Sequence, residues 1–310
     1  MKNNLINLLI NIALLYILIF IFIYSNEIKI CILNSIDIWI NNLIPSIFPF
    51  LLITSLLYNY GLIDILSKIF GKIIKKIYNL EEKGSYAIIS SMFSGYPSGS
   101  KYTKELLIDK EIDIKSANHL ITFTSYANPL FVILVIGETL LNNKKIGIYI
   151  FIIHLISGLL TGVLFKTKEE KKSIKKEREK NKRKFINVLI SNINDTFKIL
   201  FNMLGIMIFF RMIITIINKK IVNNYIKYII EGLLEMTTGI IDISLSNITL
   251  KYKTAIIGFL ISFGGLSIHF QTKSIIEGTG INYYKFLIAR LIHSLLCFIL
   301  IIIFYDLVLV

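Results

Sequence analysis

Few residues in this chain could do chemistry, and most of them stand beside apolar runs. Glu138, Arg211, Glu235 and Arg290 lie within or at the edges of hydrophobic stretches. A charge at mid-bilayer costs about 2.5–3.5 kcal/mol on insertion scales, so such residues pair with one another or face a cavity. Glu235, followed by Met236-Thr237-Thr238-Gly239, is the leading candidate for a ligand or ion contact. Arg211 and Arg290 read as structural, either paired with a carboxylate or snorkelling to the interface. His269 stands inside a Gly/Ser break at 264–271. It could carry a proton or a hydrogen bond, or be a satisfied core histidine. His154 and His293 lie in full apolar runs and read as packing residues.

Enzymatic signatures are scarce. The chain has no Walker A element, no H-E-x-x-H and no G-x-S-x-G elbow. Gly265-Leu266-Ser267-Ile268 with His293 in a later helix has a loose likeness to an intramembrane serine protease, but G-x-S is common in apolar sequence. Cys31 and Cys297 both sit in apolar runs and read as packing residues. They suit neither a bridge nor a metal site. The expectation is a protein that is not an enzyme and takes no cofactor or metal.

These residues need elements to hold them, and composition says what kind. Of 310 residues, 55% are hydrophobic, and the mean hydropathy is +0.69. That exceeds the about 45–50% apolar share of ordinary soluble domains. The apolar residues suffice for about eight spans of roughly 20 residues. The net charge is +14, yet long stretches carry no charge. A basic nucleic-acid-binding globule is excluded, because its charges would cover a folded polar surface. Nucleic acid is not an expected partner; the lipid bilayer is.

Run 5–24 is long enough to span. It lacks a small-residue cleavage site, so an uncleaved N-terminal helix (1–30) is favoured over a signal peptide. Run 43–58 is a second span, with Pro45 and Pro49 near its start, and 28–40 before it looks interfacial. Residues 62–80 repeat apolar positions at helical spacing beside Lys68, Lys72, Lys75 and Lys76. This is a basic amphipathic helix on the membrane surface, or else a connecting helix packed on the bundle. Run 146–165 spans fully and holds Gly158 and Gly162 as a G-x-x-x-G pair. The pair implies close helix packing, with homo-oligomerisation as the alternative. Residues 166–184 hold eleven Lys/Arg against four Glu. Positive loops stay inside, so this is a cytoplasmic linker and the internal boundary; a nucleic-acid arm is the rival reading. Beyond it come an amphipathic segment 185–197 and spans at 199–217 and 286–305.

Other apolar pieces are too short to span. Runs 86–93, 120–124 and 130–141 are interrupted by Ser94-Gly95-Tyr96-Pro97-Ser98-Gly99-Ser100-Lys101 and by Ser125-Tyr126-Ala127-Asn128-Pro129. Runs 225–234 and 254–263 end at Glu235 and at Gly264-Gly265. Short hydrophobic segments broken by Gly and Pro mark discontinuous or re-entrant helices, and breaks at corresponding places in two halves point to a binding site. The segment 86–94 can be laid over 254–262, and with one inserted residue after it Gly95 falls on Gly264 and Ser98 on Ser267. The expected fold is therefore all-α: a polytopic helical membrane protein with two repeats, 31–165 and 185–310, containing discontinuous or re-entrant helices.

The motifs at these breaks resemble those of one family. Gly95-Tyr96-Pro97-Ser98-Gly99-Ser100-Lys101 resembles the G-[FY]-P-x-G-[AS]-K element of the YlbJ family of sporulation integral membrane proteins. Asn128-Pro129-Leu130-Phe131 resembles its N-P-L-F, and Leu234-Glu235-Met236-Thr237-Thr238-Gly239-Ile240 its L-E-x-T-x-G-I. Residues 264–271 are similar to G-G-L-S-V-H-x-Q, with Ile268 in place of Val and Phe270 at a usually smaller position. Ala289-Arg290-Leu291-Ile292-His293 is similar to A-R-x-x-H. The matches run in order over most of the chain. The resemblance implies a Gate, or nucleoside-recognition, domain and a multi-pass cell-membrane protein of a spore-forming bacterium. It implies a role in sporulation, and the paired Gly/Ser breaks add the expectation of a transporter-like handling of a small polar solute, nucleoside-like or other. A non-transporting scaffold for a sporulation complex is the alternative. Breaks and motifs together nominate Gly95, Tyr96, Pro97, Ser98, Gly99, Lys101, Asn128, Pro129, Glu235, Thr237, Thr238, Ser267, His269 and Gln271 as solute contacts.

Overall fold

The structure is a computed structural model. It describes residues 2–166 and 184–309, so the interior of the basic linker lies outside the described residues. Every regular element among the described residues is a helix. Among the described residues six helices are long and apolar enough to cross a membrane, fewer than the eight that composition would allow. The remaining apolar residues go into shorter pieces that enter the bundle without forming a full-length span.

Helix α1 (Lys2–Ile23) lies at the periphery with most of its apolar side chains exposed, as a lipid-facing helix must. Helix α2 (Ser25–Ile38), a π-helical stretch at Trp39–Leu43 and α3 (Ile44–Asn59) form one continuous run of 35 residues. The expectation that 28–40 is interfacial is corrected here. Ile28, Cys31, Ser35 and Ile38 are buried on its inner face, and the Trp39 indole donates to the Leu200 carbonyl at 3.0 Å. That run lies antiparallel to α9 (Phe185–Asn218). The Tyr60 and Phe185 rings meet at one end (6.1 Å), and Lys219 pairs with Glu27 (3.0 Å) at the other. Residues 185–197, read as a separate amphipathic segment, are simply the first turns of α9.

Helix α4 (Leu62–Tyr78) combines both readings made of it. Ile63, Ile74 and Tyr78 are buried in the bundle, while Ile65, Ile69, Ile73 and Ile77 stay exposed beside the four exposed lysines. A helix that packs on one face and keeps both an apolar and a basic face outward suits the lipid headgroup boundary.

The centre is built from two helical hairpins, each followed by an interrupted helix and a long one. First come α5 (Gly84–Ser94) and α6 (Ser98–Ile108), packed on one another as a hairpin. Next is an interrupted helix, α7 (Ile114–Leu120), which loses regular structure at 124–128 and resumes as a π-helical stretch at Phe131–Leu140. Helix α8 (Lys144–Leu164) returns along it, with Gly158 and Gly162 against the rings of Tyr126 and Phe123. The G-x-x-x-G pair thus serves close packing within the chain. The second set is the hairpin α10 (Asn224–Leu234) and α11 (Met236–Leu245), then α12 (Leu250–Phe263) and α13 (Gly265–Ile276) broken at Gly264, then α14 (Tyr283–Leu309). The element order pairs α5–α6 with α10–α11, and α7 onward with α12–α13. Laying 86–94 over 254–262 therefore matches a hairpin arm to an interrupted-helix arm, and that register is corrected.

The two hairpins enter from opposite ends. At the base of the first, Lys104 Nζ donates to the Ile275 carbonyl (2.7 Å) at the far end of α13, and the Asn282 amide donates to Asn118 Oδ1 (2.6 Å). At the base of the second, Lys253 Nζ donates to the carbonyls of Ser244 and Ser246 near the start of α12.

Candidate functional site

Each hairpin tip packs on the break of the interrupted helix that follows it. In the first set, Gly99 lies directly on the Thr124 carbonyl; a Cβ there would occupy the space of that oxygen. Gly95 (φ +74°) also packs on Asn128, where a Cβ would come within 2.8 Å of its backbone nitrogen. The Asn128 amide donates to the carbonyls of Ser46 (2.9 Å) and Phe93 (3.0 Å). Its oxygen accepts from the amides of Leu130 (2.9 Å) and Phe131 (3.3 Å), which caps the next helical stretch. Pro129 follows at the first helical position, where a missing N–H is no loss.

In the second set the chain turns through Gly264 (φ +89°) and Gly265 (φ +67°), a left-handed pair that side chains resist. Gly265 lies against the Met236 amide and the Gly232 and Leu234 carbonyls, so tip and break are in backbone contact. Glu235 is buried (3% exposed) and caps α11: Oε1 accepts from the Thr237 amide (3.2 Å), and Oε2 from the Thr238 amide and hydroxyl (2.9 Å each). The positive end of the helix dipole suits this carboxylate.

Between the sets lies a cavity of about 30 Å³. It is lined by Tyr96, Asn128, Glu235, Thr237, Ser267 and Gln271, and so draws on both tips and both breaks. Its apolar wall includes Leu43, Ile47, Phe131 and Ile268, with Met203 and Met207 from α9 and Met236 from the second tip. Sequence reasoning missed α9 as a wall; the i, i+4 methionine pair in an apolar run was the available signal. The space admits one or two waters, since one water needs about 10–15 Å³. Gln271 is 6% exposed, and its Oε1 has no hydrogen-bond partner among the described residues.

The other nominated residues lie outside this lining. Pro97, joined to Tyr96 by a cis peptide, caps α6, and the Ser98 hydroxyl donates to the Gly95 carbonyl. Lys101 Nζ donates to Ser55 Oγ (2.6 Å). Thr238 serves the Glu235 cap. His269 is fully buried, with Nδ1 against the Tyr283 hydroxyl (3.0 Å) and Nε2 against the Phe263 carbonyl (3.2 Å).

Arg290 departs from both sequence expectations. It is 1% exposed and pairs with no carboxylate among the described residues. Nη1 donates to the Ser125 carbonyl (2.6 Å) and lies 3.3 Å from that of Ser262; Nη2 donates to Thr122 (2.9 Å). The carbonyls are available because the helical ladder lapses at both breaks. Burying an ion costs several kcal/mol, and hydrogen bonds to a charged group offset about 1.5–3 kcal/mol each. Beside it, the Ala127 amide donates to His154 Nε2 (3.0 Å), so the His154 proton sits on Nδ1 and faces Ser262 Oγ (2.8 Å). His293 Nε2 donates to the His154 carbonyl (2.9 Å), and the two imidazoles stack at 4.7 Å. Both histidines, read as packing residues, are hydrogen-bonded parts of this node. Glu138 pairs with Lys144 at the surface (3.7 Å).

Comparison with known proteins agrees with the motifs. Residues 40–143, which take in the first hairpin and break, match the Gate family, described as nucleoside recognition. Over 299 residues the chain is 23% identical to the sporulation integral membrane protein YlbJ of Bacillus subtilis, covering 84% of this chain and 73% of that one. No solved structure matches. The resemblance read from the motifs is borne out: the chain is a multi-pass membrane protein that matches the Gate model over residues 40–143 and is similar to YlbJ over most of its length.

Proposed function

We propose that the protein serves sporulation by moving a small polar solute, a nucleoside or another of that size, across the membrane through the cavity between its hairpin tips. One observation carries this reading: two tips and two breaks, entering from opposite ends, close on one small cavity whose largely apolar wall carries polar side chains from both sets. Discontinuous helices at mid-membrane are how transporters replace the hydration of a solute. The Gln271 oxygen, without a hydrogen-bond partner among the described residues and on the cavity wall, is a group a solute can use, and a scaffold needs no such cavity. The lining offers binding groups and no paired nucleophile and base, so the proposal is a carrier, not a catalyst.

A bound solute needs about 300 Å³ or more, so the present cavity is a closed state, and loading requires the tips to part. The test is to compare the metabolites of wild-type and null spores, then measure uptake of the depleted compound into vesicles. Glu235→Gln and Gln271→Leu are expected to lower uptake about tenfold, the effect of one lost hydrogen bond to solute. Wild-type uptake by both variants, at equal protein level, overturns the proposal.

A further inference from the structure

We propose that Arg290 is a built-in cation: its guanidinium fills, between the two interrupted helices, the carbonyl site that a dissociable metal cation would otherwise occupy. In transporters with broken helices, unwound backbone carbonyls at membrane depth are the usual ligands of a coupling cation. Such carbonyls must be satisfied by something, because lipid offers nothing. Here Thr122 and Ser125 from the first break and Ser262 from the second converge on one point, and the Arg290 fork occupies it.

The surroundings treat this charge as a cation site treats its ion. Its hydrogen bonds go to neutral oxygens, and among the described residues no carboxylate lies within ion-pair distance. The Phe286 ring lies 5.6 Å from the guanidinium carbon and adds a cation–π contact. Of the neighbouring histidines, His154 is committed to Ala127 and Ser262, and His293 Nε2 to the His154 carbonyl, while His293 Nδ1 has no partner among the described residues. Arginine does not lose its proton in proteins, so this cation never leaves. The fork also explains the residue type. A planar group with two separated nitrogens reaches carbonyls of both helices at once, which a single ammonium point does less well.

The inference deepens the transport reading by removing this site as a place for a coupling ion, and its test does not depend on transport. Full-length protein in lipid nanodiscs is melted in sodium chloride and in choline chloride at equal ionic strength. Wild-type protein is expected to melt at the same temperature in both. Arg290→Ala is expected to lose about 10 °C, because the carbonyls lose their donors. It should regain part of that loss with low-millimolar guanidinium chloride or with sodium, and none with choline. Arg290→Lys keeps the charge without the fork and is expected to melt between the two; it stands in if the alanine variant fails to fold. Sodium-specific stabilisation of the wild type overturns the proposal. So does wild-type melting by Arg290→Lys, or an alanine variant that neither ion restores. Failure of uptake in the same membranes would sink the transport reading alone and leave these melting results as they stand.

Discussion

The Tyr96 hydroxyl donates to the Met236 sulfur across 2.9 Å, and through that contact the tip of the first hairpin touches the tip of the second. The same hydroxyl lies 3.3 Å from the Ile261 carbonyl, one turn before the second break. Tyr96 therefore closes the cavity from one side while contacting both elements of the other set.

Tyr96→Phe removes only this hydroxyl. Hydrogen bonds inside helical membrane proteins average about 0.6 kcal/mol, so the loss of stability should stay below about 1.5 kcal/mol. Adding Met236→Leu should cost little beyond its own packing change. A double-mutant cycle from reversible unfolding in micelles checks this; additive effects would show that the tips do not hold one another.

The glycines give a sharper contrast. Gly99→Ala sets a methyl on the Thr124 carbonyl and should cost more than about 3 kcal/mol. Gly205→Ala, in α9 with nothing within 4 Å, should be neutral or stabilising by up to about 1 kcal/mol. Expression level and melting temperature of the two variants report the difference.

Glu235 has two duties that substitution can separate. Glu235→Ala removes the cap of α11 and should lower stability by about 0.5–2 kcal/mol. Glu235→Gln keeps an acceptor for the α11 amides and should stay within about 1 kcal/mol of wild type. If solute uptake falls in the glutamine variant while melting holds, the carboxylate acts on the solute and not only on the helix.

Much of this was legible before any coordinates, and the reasons differ by residue. Apolar run length showed a membrane protein, and the Gly, Pro and Glu punctuation at 95–99, 128–129, 235 and 264–265 marked the two tips and two breaks. Those are backbone events, and backbone events leave local signs. The partners of Arg290 left none. Nothing in a sequence says that carbonyls 165 and 28 residues away will converge on one guanidinium. The unbroken run 25–59 was hidden because Glu27, Lys29, Asp37 and two prolines imitate an interface, whereas the π-helical turn lets the helix continue. The repeat register failed because the short Ile-rich, Ser-bearing arms of a hairpin and of an interrupted helix look alike.

The ends of the molecule carry a topology prediction. Lys166 Nζ donates to the Lys76 carbonyl at 3.1 Å, so the basic linker leaves from the end that holds α4. Val222, 94% exposed, lies close in sequence to Lys219, which pairs with Glu27 at the opposite end. Cys31 and Cys297 are both buried, which keeps the native background low. With the linker inside, a membrane-impermeant maleimide should label Val222→Cys on intact cells and Lys76→Cys only after lysis. The reverse pattern would invert the protein in its membrane.

Accessibility of Gln271 tests the shared cavity most directly. Gln271→Cys, in right-side-out and inside-out vesicles, is exposed to a small charged thiosulfonate. A central site that opens alternately to each side predicts modification from both faces, each at a rate well above that of the buried native cysteines. A thiol that stays unmodified from both faces would mean that the tips never part, and the cavity would then be a packing defect, not a path.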